Sequence, residues 1–169
     1  MKTIIELRTT LDFRPHEINS QVIYFAEKCN IDYDVYLPTK DMNLQRDFVW
    51  DIEQKREIIW SILMNRNIPR MAMINTVKDV YQVIDGKQRL SSMIDFYNGK
   101  YDIVIDGANY FFKDLPQEYQ RVIQCYHFAF YIVNEDYGKE ISDQSKINWF
   151  KFINFAGTPQ DNLHFEKLK

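Results

Sequence analysis

The stretch from Tyr81 to Gly99 limits what this chain can fold into more than any other. Tyr81-Gln82-Val83-Ile84 has the composition of a short strand, Asp85-Gly86 is a sharp-turn dipeptide, and Lys87 to Asn98 carries Leu90, Met93, Ile94 and Tyr97 at helical spacing. A strand is thus expected to deliver a helix N-terminus. The first N–H groups of a helix lack internal acceptors and lie at the positive end of its dipole, so the junction suits a phosphate or a carboxylate, with Gly86 allowing close approach. Lys87, Gln88 and Arg89 stand at its mouth. Arg brings a planar fork of donors that matches phosphate, Gln a donor and an acceptor, and Asp85 a carboxylate that either caps the helix or holds a metal. The same residues also serve a plain capped helix whose charges face water, because Asp-Gly before a helix is common turn chemistry.

The chain has 169 residues, enough for one domain with its own core and too few for two comfortable ones, so a single domain over 1–169 is expected. Hydrophobic residues at 46% with only five Gly and five Pro exclude a disordered or linker-rich chain. Apolar runs such as Phe128 to Val133 fall far below the ~20 residues of a membrane span, and no secretory leader follows Met1-Lys2, which predicts a cytoplasmic protein with no membrane partner. Cys29 and Cys125 share no metal-ligand spacing with His16, His127 or His164 and are expected to be buried free thiols, with no structural zinc. A net charge of -3 argues against a surface that grips nucleic acid throughout. Arg46, Lys55, Arg56, Arg66 and Arg70 form a local basic cluster, but Asp47, Asp51, Glu53 and Glu57 interleave with it, the pattern of a solvated face.

Along the chain, Ile4 to Arg8 reads as an opening strand, and Pro15 starts a helical pattern with Ile18, Val22, Phe25 and Ala26 on one face. Ile31 to Leu37 alternates as one strand ended by Pro38. Asp51 and Gln54 make a capping box for a helix from Ile52 to Asn65, with Ile52, Ile59, Ile62 and Leu63 as its buried stripe. Trp50 before that cap is either a core anchor or a stacking surface for a base, and Arg46 either a surface ion pair or a phosphate contact. Met71 to Thr76 and Tyr81 to Ile84 pair as a hairpin that feeds the Asp-Gly turn. Gly99 stops the following helix, and Asp106-Gly107 joins two further strands. Asp114-Leu115-Pro116 opens a helix through Gln124. Tyr126 to Val133 reads as a central strand, with His127 a satisfied core histidine. Ser142 or Asp143 caps a last helix to Phe155 with Ile147, Phe150, Phe152 and Ile153 on its apolar face. In the polar turn after it, Asn154 and Thr158 either orient a sugar or phosphate or simply flank a Gly157 and Pro159 stop.

Asp85-Gly86-Lys87-Gln88-Arg89-Leu90, between an apolar strand and a helix ending Phe96-Tyr97-Asn98-Gly99, resembles the Asp-Gly-Gln-Gln-Arg signature of the N-terminal domain of GmrSD-type, modification-dependent restriction endonucleases. Leu44-Gln45-Arg46-Asp47-Phe48-Val49-Trp50-Asp51 is similar to that family's Gln-Arg-Pro-Tyr-Val-Trp approach to a helix, and Phe150 to Gly157 to its later Phe-x-Arg-(Ile/Leu)-Asn-x-x-Gly element. The sequence departs from the pattern at Lys87, where the family has Gln, and at Phe152, where it often has Arg. The resemblance implies an α+β, ParB/sulfiredoxin-like single domain with a mixed sheet and packed helices. It further implies a nucleoside triphosphate ligand with Mg²⁺, the base being open, and slow hydrolysis in a regulatory or sensor role in phage defence. Gln45, Arg46, Gly86, Lys87, Gln88, Arg89, Asn154 and Thr158 would then contact the nucleotide, with Asp85 and Arg89 catalytic and Asp85 the metal ligand. A DNA-binding or DNA-cleaving module and a degenerate interaction scaffold are the alternatives. Longer relatives carry a His-Asn-His nuclease domain, and this sequence offers no cluster of convergent acids or histidines. A separately encoded nuclease is therefore the expected partner.

Overall fold

The structure, a computed structural model, describes residues 13–136 and 138–155. Its centre is a five-stranded mixed sheet built from β1 (His16–Gln21), β2 (Asn30–Asp32), β5 (Met71–Asn75), β6 (Val80–Asp85) and β9 (His127–Asn134), in the order β1-β9-β5-β6-β2. The β1–β9 and β5–β6 pairs are antiparallel, and the β9–β5 and β6–β2 pairs parallel. Two small ribbons lie outside it: β3 (Tyr36–Leu37) with β4 (Met42–Asn43), and β7 (Ile103–Ile105) with β8 (Ala108–Tyr110). The helices among the described residues are α1 (Val22–Lys28), α2 (Ile52–Leu63), α3 (Lys87–Tyr97), α4 (Gln117–Cys125) and α5 (Asp143–Phe155). The fold is α+β with a mixed sheet, as the sequence leads one to expect. None of these helices is long and apolar enough to cross a membrane.

Alternation along the central strands divides the core between the two faces of the sheet. Met71 and Met73 of β5, Val83 of β6 and Phe128, Phe130 and Ile132 of β9 join α1 to α4 in one cluster. Ala72, Ile74, Ile84 and Val133 point to the other, against Ile147, Trp149 and Phe150 of α5 and the buried Val35, Leu37 and Leu44. Met71 to Ile74 are all buried, the mark of a strand covered on both sides. Three layers result, with the Asp85-Gly86 turn at the end of an interior strand.

Several local expectations hold. The Asp51–Gln54 capping box is complete, with the Gln54 amide donating to Asp51 Oδ1 at 2.8 Å and the Asp51 amide to Gln54 Oε1 at 3.0 Å. Gly99, at φ 71°, ends α3 with Gly99 N–H donating to the Phe96 carbonyl and Lys100 N–H to the Asp95 carbonyl, the two bonds of a Schellman close. Asp106 and Gly107 both have positive φ, which suits the tight β7–β8 turn. Ser142 Oγ accepts from the Ser145 amide at the head of α5, while the Asp143 carboxylate takes two bonds from Thr39.

Other expectations are corrected. His16 to Gln21 is a strand, not the start of a helix, because the open edge of β9 supplies backbone partners for all six residues. The strand expected over Ile31 to Leu37 is broken after Asp32, whose Oδ1 accepts from the amides of Asp34 and Val35 and turns the chain through Val35 at φ 53°. On α2, Ile58 rather than Ile52 joins Ile59 and Ile62 in the core. His127 is exposed, as is Cys125, and Cys29 is only half-buried; both thiols are free. Phe152 is exposed rather than part of the apolar face of α5. The strand expected at Ile4 to Arg8, and the turn with Gly157, Thr158 and Pro159, lie outside the described residues.

Candidate functional site

The junction of β6 and α3 is built around Gly86. Its φ of 99° is left-handed, and a Cβ there would come within 2.4 Å of Met71 Cγ on β5. The close approach that glycine permits is therefore to the neighbouring strand. A register shift between Ala72 and Met73 opposite the end of β6 re-aims the last residues of that strand, as bulges beside sites commonly do. The first internal helical bond runs from Leu90 N–H to the Gly86 carbonyl at 2.9 Å. Among the described residues, the amides of Lys87, Gln88 and Arg89 donate to no protein acceptor, which leaves three orphan donors in the first turn of the helix.

Asp85 does not cap this helix: Gly86 occupies the cap position without a side-chain bond. Instead Asp85 Oδ2 accepts from Arg89 Nη2 at 2.6 Å, a largely buried pair one helical turn apart, and Arg89 Nη1 donates to the Pro69 carbonyl at 3.0 Å. Lys87 runs under the turn rather than out of it. Its side chain is 10% exposed, and its Nζ donates to Asp34 Oδ1 at 2.6 Å and to the Arg46 carbonyl at 2.9 Å. Gln88 clamps the incoming loop, its Oε1 accepting from Val49 N–H (3.0 Å) and Trp50 N–H (3.2 Å) and its Nε2 donating to the Asp47 carbonyl. Gln45 is buried and donates to the carbonyls of Val83 (2.8 Å) and Ile84 (2.6 Å), pinning the same loop to β6.

These contacts bring two segments, distant in sequence, to one shallow cavity of about 150 Å³, lined by Gln45, Arg46, Trp50, Asp85, Gly86, Lys87, Gln88 and Arg89. Arg46 is the cation with no partner for its guanidinium among the described residues; the others of its segment are spent. Arg56 pairs with Glu53 and Asp102, Arg66 with Glu57 and Arg70 with Glu17, while Lys55 Nζ lies 4.5 Å from the centre of the Phe48 ring. Asn154 is not part of the cavity wall; it donates to the Phe150 carbonyl one turn back on α5. Thr158 lies outside the described residues.

Charge and backbone here favour an anion. Three orphan amides and the positive end of the helix dipole stand beside a cavity that Arg46 also lines, and the carboxylates of Asp34 and Asp85 are each held by a cation. The donor set does not fit a metal held by the protein: Asp85 shares its carboxylate with Arg89, and no group of three or more His, Cys, Asp or Glu converges among the described residues. The supports that sequence reasoning missed are Asp34, the Pro69 carbonyl and Met71. Asp34 alternates as a solvent-facing strand residue and gives no signal of its bond to Lys87; only the break at Val35 creates it.

A family model described as GmrSD restriction endonuclease, N-terminal domain, matches residues 29–168, a span that holds both segments of the cavity. No curated protein and no solved structure matches the chain.

Proposed function

Because the chain belongs to the family of GmrSD restriction endonuclease N-terminal domains, we propose that it is a phosphoryl-binding regulatory domain of a restriction system, in which the Asp85 to Arg89 turn holds the phosphates of a nucleotide. The observation that carries this reading is the set of three unpartnered amides at the start of α3, in residues that line one cavity together with the unpaired Arg46. Helix N-termini of this kind bind phosphate through N–H donors and the dipole together. Arg46 adds a bidentate fork from a second segment, held in place by Gln45 and Gln88.

Binding is better supported than hydrolysis. Water activation needs a carboxylate free to take a proton, and Asp85 is engaged by Arg89. Mg²⁺ enters this reading as the counter-ion of the phosphates, not as an ion held by Asp85. Ion pairing at Arg56, Arg66 and Arg70 removes the unbalanced cations that a DNA track needs, so the nuclease function of the family is assigned to a partner nuclease domain that this domain controls.

Calorimetric titration of the four ribonucleoside triphosphates with Mg²⁺ tests the proposal. At least one is expected to bind, and Arg46→Ala to weaken it about tenfold to a hundredfold, the loss of one charge-assisted contact, with an unchanged melting temperature. Absence of heat with all four at millimolar concentration overturns the reading.

A further inference from the structure

The loop that brings Gln45 and Arg46 to the cavity is closed at its base by two backbone bonds, from Leu44 N–H to the Val35 carbonyl at 2.9 Å and from Gln45 N–H to the Asp34 carbonyl at 3.1 Å. One side of that base is strained. Val35 is β-branched, has no exposed surface and sits at φ 53°, in the left-handed region that such a side chain rarely enters. A conformation of this kind persists only where its surroundings over-determine it. Three sets of contacts do so here: Asp32 Oδ1 accepts from the amides of Asp34 and Val35, the Val35 side chain belongs to the core cluster of Leu37, Leu44 and Ile84, and Lys87 reaches across from α3 to grip both sides of the base. Its Nζ bonds Asp34 Oδ1 at 2.6 Å on one side and the Arg46 carbonyl at 2.9 Å on the other.

We infer that Lys87 is a positioning residue: its clasp on Asp34 and Arg46 fixes the backbone from which Arg46 lines the cavity, and Lys87 does not itself serve as a phosphate ligand. The inference rests on the phosphate reading above and adds to it what holds the second segment of the site in place. Burial and donor count support it. An ammonium has three donors, and two of those on Lys87 are spent within the protein. The Lys87 side chain is 10% exposed, whereas that of Asp34 is 59% exposed. The acid therefore gives up little hydration in the pair, while a largely buried cation gains the partner that burial demands. Glutamine, the residue of the family pattern at this position, is shorter and uncharged and makes no ion pair with Asp34, so the clasp is a feature of this sequence.

The test is calorimetry of the whole chain against inorganic tripolyphosphate for wild type, Lys87→Met and Asp34→Ala, each alone and in an Arg46→Ala background, with amide hydrogen exchange on the same proteins and native circular dichroism as the check on folding. Asp34→Ala is the decisive variant. Removing an acid beside an anion favours tighter binding on charge alone, so a loss of affinity reports geometry. Both substitutions are expected to weaken tripolyphosphate about tenfold and to speed exchange of the Leu44 and Gln45 amides while those of β5 and β6 keep wild-type rates. Neither is expected to weaken binding further once Arg46 is alanine, because Lys87 acts through Arg46. Tighter binding in Asp34→Ala, or an equal loss from Lys87→Met in the Arg46→Ala background, makes Lys87 a direct ligand and overturns the inference while leaving the phosphate reading intact. Wild-type affinity in both variants does the same. Asp34→Ala, made at an exposed side chain, decides the matter where Lys87→Met does not fold. Wild type that binds no tripolyphosphate at millimolar concentration overturns both readings.

Discussion

At the scale of single residues, the cavity separates a cation left without a partner among the described residues from cations that hold the protein together. Arg89 bonds Asp85 and the Pro69 carbonyl, and Lys87 bonds Asp34 and the Arg46 carbonyl, so both are supports as well as neighbours of the cavity. Arg46 contributes only its carbonyl to the scaffold. Arg89→Ala is accordingly expected to lower the melting temperature and weaken phosphate binding together, whereas Arg46→Ala affects binding alone; paired thermal and calorimetric measurements on both variants separate the two roles. Gly86 is the residue whose replacement is most informative about folding. An alanine there meets both a left-handed backbone, costing about 1–2 kcal/mol, and overlap with Met71, costing about 1–3 kcal/mol. In a Met71→Ala background the Cγ and Sδ overlaps are gone and only the 3.0 Å contact with the Cβ of residue 71 is left, so a double-mutant cycle in urea is expected to show a favourable coupling between the two substitutions.

At the scale of elements, the site exists because two helix starts are tied to one loop. Gln88, in the first turn of α3, accepts from the amides that lead into α2, and the Asp51–Gln54 box then begins that helix. Asp51→Ala is expected to cost about 1 kcal/mol of stability, read as a shift in urea midpoint at constant slope. Tyr101 also bridges these two helices, its single hydroxyl proton shared between the Ser92 carbonyl at 2.9 Å and the Lys55 carbonyl at 3.1 Å. Tyr101→Phe removes that one shared proton while both carbonyls keep their helical donors, and is expected to cost about 1 kcal/mol in the same assay.

At the scale of the whole molecule, three tyrosines make stability sensitive to alkali. The hydrogen bond that Tyr97 donates to Glu27 raises its pKa to about 12, and burial raises those of Tyr33 and Tyr101 above the ordinary tyrosine range. In each case the folded state keeps a proton that the unfolded chain releases near pH 10. The stability these groups contribute is thus complete below about pH 10 and lost as the pH climbs toward the folded values. Urea midpoints are expected to fall steadily above pH 10, and Tyr97→Phe to flatten the part of that decline between pH 10 and about pH 12. An unchanged profile in Tyr97→Phe would show that the Glu27 bond carries none of the effect.

Local chemistry determined the pieces that needed only near neighbours. The β6–turn–α3 junction, the Asp51–Gln54 box, the Gly99 stop and the Asp106-Gly107 hairpin follow from residues within a few positions of each other, and the structure forms all of them. Resemblance carried the family, which the match over residues 29–168 establishes. Only the tertiary structure decided what depended on partners far along the chain. Whether His16 to Gln21 became helix or strand rested on the open edge of β9, more than a hundred residues away in sequence, because backbone pairing outweighs a weak local preference. The same holds for the side chains of the motif. Nothing in Asp85-Gly86-Lys87-Gln88-Arg89 tells which charges face the cavity; burial against Asp34, Pro69 and Met71 turned Lys87 and Arg89 to support and left Arg46, from another segment, as the unpaired cation. A charge's role is set by the nearest opposite charge in space, and sequence order does not contain that distance.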